Sequence, residues 1–395
     1  MFAIFFFFFH IVTLKSILEV AVKKSILLIL LIAVCLPLAF FGITLRVHGL
    51  EDGDLSAKSA ILYEPSERII LYGKNIDARL PMASTTKIMT ALLALECCAP
   101  PDTIVTVPKE AVGIEGSSLY LEEGDKYRLI DLVYALMLQS ANDVAATLAI
   151  SISGSTDAFA DLMNQRAAAL RMKDTHYKNP HGLHDAEHYT TARDLAILCG
   201  AALENPLFAQ IVSTYRKVIS PINRSVVKVL VNHNKLLRVC DGAIGIKTGY
   251  TKTSGRCLAG AAIRDDLTLI AVTLDAPNDW QDHTRLFEYG FENFENRLLA
   301  STYEIAFEIP VINGKTASVL CSNDSDVYAV LPLSDQEVEA EVILNRFATA
   351  PIRTGQVLGH VVFKIGDREL ASVDLTAKQS IPAKKYKKGI FDFFK

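Results

Sequence analysis

Pro81-Met-Ala-Ser84-Thr-Thr-Lys87-Ile-Met-Thr-Ala-Leu-Leu-Ala-Leu-Glu96 is the stretch on which the reading of this chain turns. Its apolar positions Ile88, Ala91, Leu92 and Leu95 follow the 3.6-residue repeat of a helix with one buried face. Pro81 to Ser84 opens that helix. On a helix, residues i and i+3 share a face, so the Lys87 amine reaches the Ser84 hydroxyl. An amine enclosed by protein has a depressed pKa and can act as a base. A serine at a helix N-terminus also sits at the positive end of the dipole, which favours a developing oxyanion. Ser-x-x-Lys alone, however, occurs about once by chance in a chain of this size, with the serine a mere N-cap.

Working outward, two more short motifs carry chemistry. Ser140-Ala-Asn142 lies in Gln139-Ser-Ala-Asn-Asp143, a polar patch that interrupts an otherwise apolar helical region from Asp131 to Ile150. Buried polar groups without partners are costly, so such a patch either caps a helix break or lines a cleft. Lys247-Thr248-Gly249 offers a cation and a hydroxyl for a carboxylate, and its glycine permits close backbone approach. Lys-Thr-Gly arises by chance in roughly one chain in ten of this size. The three motifs in this order form a much stronger signal than any one of them.

The surrounding pattern is mixed. Ser59–Tyr63 and Arg68–Tyr72 read as strand, turn, strand around Glu64-Pro-Ser-Glu67. Phe159–Met172 and Thr191–Leu203 read as helices. Gly255–Ala262 and Leu267–Leu274 read as strands around Arg264-Asp-Asp266, and Asp279–Phe294 as a closing helix. The expected fold is an α/β layered (α+β) architecture. From Ser301 onward short β runs such as Ala340–Leu344 and Gly359–Lys364 predict a small all-β domain.

The motif set Ser-x-x-Lys, Ser-x-Asn, Lys-Thr-Gly resembles that of the penicillin-binding proteins and class A β-lactamases. The chain is similar to the low-molecular-mass penicillin-binding class, the serine-type D-alanyl-D-alanine carboxypeptidases. Gly116–Leu121, Asn179-Pro-His-Gly-Leu183, His188–Asp194 and Asn232–Leu237 carry the resemblance further, strongly over residues 55–300. It implies a β-lactamase/transpeptidase-like fold, an antiparallel sheet flanked by helices with a mainly helical subdomain, and an acyl-enzyme on Ser84 with Lys87 as base. Ser140 and Asn142 would extend the proton relay and hold the substrate peptide. Lys247 and Thr248 would bind the terminal carboxylate beside Gly249. The N–H groups of Ser84 and Tyr250 would form the oxyanion hole. The implied substrate is the peptidoglycan stem pentapeptide, the implied inhibitors are β-lactams, and no cofactor is implied.

Composition agrees with an enzyme acting outside the cytoplasm. The 395 residues are 50% apolar and 21% charged, which excludes disorder as the main state. A pI of about 6.2 gives no basic field for nucleic acid. Lys23-Lys24 precede a charge-free run from Ser25 to Leu45, so residues 1–49 read as a signal peptide or membrane anchor. Those residues carry Lys15, Lys23, Lys24 and Arg46 against Glu19, so their loss takes the net charge from −4 to −7. The expected layout is then a catalytic domain over 50–300, the β domain over 301–380 and a tail over 381–395. From Ala383 the tail packs five lysines and three phenylalanines into 13 residues, which suits contact with a membrane surface. Localisation follows as secreted, or attached to the outer face of the cytoplasmic membrane. The cysteines read as buried free thiols, with a Cys240–Cys257 bridge as an alternative.

Three rival readings stand beside this one. His181, His184 and His188 are spaced as zinc ligands, but a metallo-carboxypeptidase leaves the serine motifs unexplained. A serine β-lactamase shares the motifs, yet no convincing Glu-x-x-Leu-Asn stretch lies between Asn142 and Lys247. A catalytically inactive wall-binding homologue has no need of an intact Ser84 and Lys87.

Overall fold

The structure is a computed structural model that describes residues 49–97, 100–334 and 337–385. The proposed leader and the end of the tail lie outside the described residues, as do Cys35 and Cys98. Among the described residues no single helix is long and apolar enough to cross a membrane.

The site is built on a five-stranded antiparallel sheet. In chain order its strands are β1 (Ser59–Glu64), β2 (Ile69–Lys74), β7 (Ala243–Thr251), β8 (Gly255–Arg264) and β9 (Leu267–Leu274). Their spatial order is β2-β1-β9-β8-β7. Every position of β1 is buried, because both faces of the sheet are covered. Ile61, Ile270 and Val272 point to one core, and Leu62, Leu269 and Ala271 to the other. Successive side chains of a strand alternate faces, so one strand feeds both layers. The β8–β9 turn places Asp265 at φ 45° and Asp266 at φ 61°. Positive φ at both central residues of a two-residue hairpin loop matches the strand twist.

The first core belongs to the helices α1 (Lys87–Cys97), α2 (Leu129–Leu138), α3 (Asn142–Ser153), α4 (Thr156–Ala169), α5 (Ala192–Leu203) and α6 (Pro206–Ser213). Their starts follow local chemistry. The Ser155 hydroxyl accepts from the Ala158 amide, and the Thr191 hydroxyl from the Asp194 amide. Asn205 caps α6 with Pro206 in its first turn. Gly154, at φ 80°, ends α3. The second core is closed by α8 (Asp279–Asn293), with Leu286 and Phe287 against the sheet. A short turn of helix, α7 (Leu236–Val239), precedes β7.

Two hairpins rim this half. One pairs β3 (Ile104–Thr106) with β4 (Lys126–Arg128), and the other pairs β5 (Arg216–Ile219) with β6 (Lys228–Val231). The C-terminal part is all-β. Strand β10 (Phe294–Ala300) pairs with β13 (Val327–Pro332). The remaining strands are β11 (Ala306–Ile312), β12 (Ser318–Ser322), β14 (Glu339–Leu344), β15 (Ala348–Thr349), β16 (Val357–Ile365) and β17 (Arg368–Ala377). They form a sheet in the order β14-β16-β17-β12-β11-β15 around its own apolar core.

The Cys240–Cys257 bridge does not form: both thiols are free. Cys257 pairs opposite Gly249, whereas Cys240 precedes the other end of the hairpin, where Ala243 faces Ala262. Five residues of strand, about 17 Å, separate those two ends, too far for a disulfide. Cys199, Cys257 and Cys321 are buried, and Cys97 is exposed.

Candidate active site

Residues Ala83–Thr86 form a 3-10 turn, and the α-helix begins only at Lys87. Ser84 therefore stands one turn ahead of α1 rather than on it. Ala83 adopts φ 47°, a left-handed conformation that is unfavourable for a residue with a side chain. The turn is stitched by its own hydroxyls: Thr85 Oγ1 donates to the Met82 carbonyl at 2.7 Å, and Thr86 Oγ1 to the Ala83 carbonyl at 2.8 Å. Below it packs the Asn179–Leu183 turn, where the Asn179 side chain accepts from the Gly182 amide at 2.7 Å. Gly182 has φ +90°, and a Cβ there would stand 1.9 Å from the Ala83 carbonyl oxygen. Only glycine fits this contact.

Lys87 is fully buried, and its Nζ donates three hydrogen bonds: to Ser84 Oγ at 3.0 Å, Asn142 Oδ1 at 2.7 Å and the His181 carbonyl at 2.6 Å. Burial pushes its pKa well below the ordinary lysine value, the Lys247 charge pushes the same way, and Asp143 opposes both. The predicted contact between Lys87 and Ser84 is thus present, and Asn142 joins it. Asn142 is held in turn: its Nδ2 donates to the Glu115 carbonyl at 2.6 Å, and its backbone N–H to the Ser117 carbonyl at 2.7 Å. Gly116 leaves the room, since a Cβ there would lie 2.8 Å from Asn142 Nδ2.

Ser140 sits in the break between α2 and α3 at φ 59° and is nearly buried. No hydrogen bond to protein engages its hydroxyl among the described residues. Lys247 is buried on β7, and burial lowers its pKa to about 7; its Nζ donates to the Thr248 carbonyl at 2.7 Å. Gly249 brings β7 against the nucleophile turn: a Cβ there would lie 3.0 Å from the Ser84 amide nitrogen and 3.2 Å from the Met82 carbonyl oxygen. Tyr250, next along the strand, is 66% exposed.

Several supporting groups were not legible as motifs. Asp143 is buried, and its carboxylate accepts from Ser118 Oγ at 2.7 Å and from the Leu119 and Leu121 amides at 3.0 Å each. It ties segment 118–121 to the start of α3. The His181 carbonyl is a backbone group, which no side-chain pattern announces. Gly182, within the family-like turn, was the available signal for it.

The histidines do not gather as a metal site. The His188 Nδ1 accepts from the Lys178 amide at 3.0 Å, so its Nε2 carries the proton, 2.7 Å from Thr86 Oγ1. Neither ring nitrogen has a lone pair left for a metal. Burial lowers the pKa of His188 to about 4 and of His181 to about 3, so both rings are neutral. Among the described residues no group of three or more metal-ligating side chains is arranged to hold an ion.

Comparison with known proteins agrees with this constellation. The D-alanyl-D-alanine carboxypeptidase family (peptidase S11) matches residues 46–278, and the C-terminal domain of penicillin-binding protein 5 matches residues 294–383. The D-alanyl-D-alanine carboxypeptidase DacF of Bacillus subtilis is 30% identical over 348 residues, covering 86% of this chain and 88% of that one. The crystal structure of penicillin-binding protein 5 from Haemophilus influenzae superposes with a TM-score of 0.70 at 28% identity, over 85% of this chain and all of that one. A D-alanyl-D-alanine carboxypeptidase from Mycobacterium tuberculosis matches 62% of this chain and 94% of its own length, with a TM-score of 0.58 at 30% identity. The chain belongs to the D-alanyl-D-alanine carboxypeptidase family of serine peptidases, the low-molecular-mass penicillin-binding proteins.

Proposed function

We propose that this chain removes the terminal D-alanine from peptidoglycan stem pentapeptides through an acyl-enzyme on Ser84. The observation that carries the reading is the 3.0 Å hydrogen bond from the buried Lys87 amine to Ser84 Oγ. A lysine whose pKa is strongly depressed holds a neutral fraction able to take the serine proton. Ser84 Oγ then attacks the carbonyl carbon of the penultimate residue. The oxyanion is received by the Ser84 and Tyr250 N–H groups.

Lys247 and Thr248 hold the terminal carboxylate. Arrival of that carboxylate favours the charged form of Lys247, and charged Lys247 keeps Lys87 neutral. The two lysines are thereby driven to opposite protonation states, as acid–base sites require. Collapse of the tetrahedral intermediate breaks the peptide bond. The departing D-alanine amine takes its proton back from Lys87, with the otherwise unengaged Ser140 hydroxyl as relay. Water attacks the ester next, and the same groups serve in reverse. Asn142 holds Lys87 and the substrate's peptide. A β-lactam places its own carboxylate on Lys247 and Thr248, opens on Ser84 and stays there.

The protein works on the outer side of the cytoplasmic membrane, delivered by residues 1–49, with the basic aromatic tail touching the membrane surface. The test is release of D-alanine from a stem-pentapeptide mimic. Release by wild type that disappears in Ser84→Ala supports the reading; equal release by both contradicts it.

A further inference from the structure

A second cleft, of about 550 Å³, opens between the β1–β2 turn, the end of α4 and α5. That volume lies in the range of small-molecule sites. Four guanidinium groups line it, from Arg68, Arg166, Arg171 and Arg193, against one carboxylate, Glu204. Two of the four are already engaged. Arg193 forks onto Asp77 at 2.6 and 3.0 Å, and Arg166 reaches Glu96 at 2.6 Å. Among the described residues Arg68 and Arg171 make no ion pair or side-chain hydrogen bond, and both occupy turn positions, at φ 59° and 63°.

Two further donors lack acceptors. Among the described residues Arg166 Nε is buried without a partner, and the hydroxyl of the largely buried Tyr63 makes no hydrogen bond. A buried donor without an acceptor is unfavourable. Arg166 Nε is such a donor; the solvent-reached guanidinium groups of Arg68 and Arg171 and the Tyr63 hydroxyl line the same recess, whose one anionic lining group is Glu204. Ile70 and Ile197 add apolar wall between them.

We propose that this cleft is a binding site for a phosphodiester carried on a glycerol or sugar chain. Guanidinium groups match phosphate oxygens in a fork geometry. The donors come from separate elements, so a tetrahedral anion meets them better than a planar carboxylate. Arg68 and Arg171 exceed Glu204 by one charge, which fits the single charge of a diester and disfavours the dianion of inorganic phosphate. The apolar walls take the carbon backbone between phosphates. A flat bilayer surface does not enter a recess of this kind, so a chain is the favoured source over lipid headgroups.

The test is calorimetric titration of the full-length protein with glycerophosphoglycerol, with inorganic phosphate and with phosphatidylglycerol vesicles. The expected result is saturable binding of the diester that weakens as salt rises. Binding should fall at least tenfold in the double variant Arg68→Gln, Arg171→Gln, and tighten in Glu204→Gln. Labelling of Ser84 by penicillin, read on the same samples, should match wild type in every variant. The proposal is overturned by no saturable binding, by binding that the double variant leaves unchanged, by weaker binding in Glu204→Gln, or by equal affinity for inorganic phosphate. Binding to vesicles but not to the soluble diester would also overturn it.

Discussion

Lys87 and Lys247 are both buried, and neither forms an ion pair among the described residues. Burying two cations without a counter-ion is unfavourable, and the chain tolerates it where chemistry needs one neutral amine and one charged one. The sign of the effect on stability follows. Lys247 has a folded-state pKa of about 7, against about 10.4 for an exposed lysine. The folded form therefore binds fewer protons, and stability climbs as pH rises from about 7 towards about 10. Lys247→Met removes the penalty, so its melting temperature should exceed that of wild type. The gain should be largest below pH 7 and fade towards pH 10. The same substitution removes a like charge from beside Lys87 and raises its pKa. The acid limb of β-lactam acylation should then move to higher pH. Thermal melts and acylation rates between pH 5 and 10 check both; a limb that moves down, or a gain that grows with pH, contradicts the account.

At the scale of elements, the site depends on how α3 begins. Asn142 and Asp143 stand side by side there. One faces Lys87, and the other holds the 118–121 segment by three hydrogen bonds. Asp143→Ala leaves two amides and a hydroxyl without their acceptor, at about 1–3 kcal/mol for each group that water does not reach. The expected outcome is a loss of about 3 kcal/mol in denaturant unfolding and acylation slower by at least tenfold. Stability loss with unchanged acylation would show that the segment is irrelevant to chemistry.

The legible elements were those with a repeating apolar pattern. Leu267–Leu274 alternates between two cores and was readable to the residue. The break at Gln139–Asp143 was readable because polar residues interrupt a run that is otherwise buried. The left-handed turn at Ala83 was not, since alanine gives no hint of positive φ. The β5–β6 hairpin was also missed. Its outward valines, Val218 at 52% and Val229 at 47% exposure, blur the alternation that marks a half-buried strand. The three motifs named the side chains at the site, while the acceptors that hold them, the carbonyls of His181, Glu115 and Ser117, belong to the backbone and are invisible to pattern.

At the scale of the whole molecule, the catalytic half and the β part touch through specific groups. The Val330 amide donates to Glu67 Oε1 at 2.7 Å, and the Val330 side chain joins the core between the sheet and α8. None of the residues given a role in the reaction lies beyond Tyr250, the strand that packs on the nucleophile turn next, β8, ends at Arg264, and the mycobacterial relative matches 62% of this chain over 94% of its own length. Residues 50–300 alone should therefore still be labelled by penicillin, with a lower melting temperature from the lost Val330 contacts. A folded fragment that resists labelling would mean that the β part shapes the site.

The central claim is that Ser84 is the nucleophile. Intact-protein mass spectrometry of the chain with excess benzylpenicillin, wild type beside Ser84→Ala, tests it most directly. One stable adduct of penicillin mass is expected on wild type and none on the variant. An adduct on both, or on neither, would contradict it.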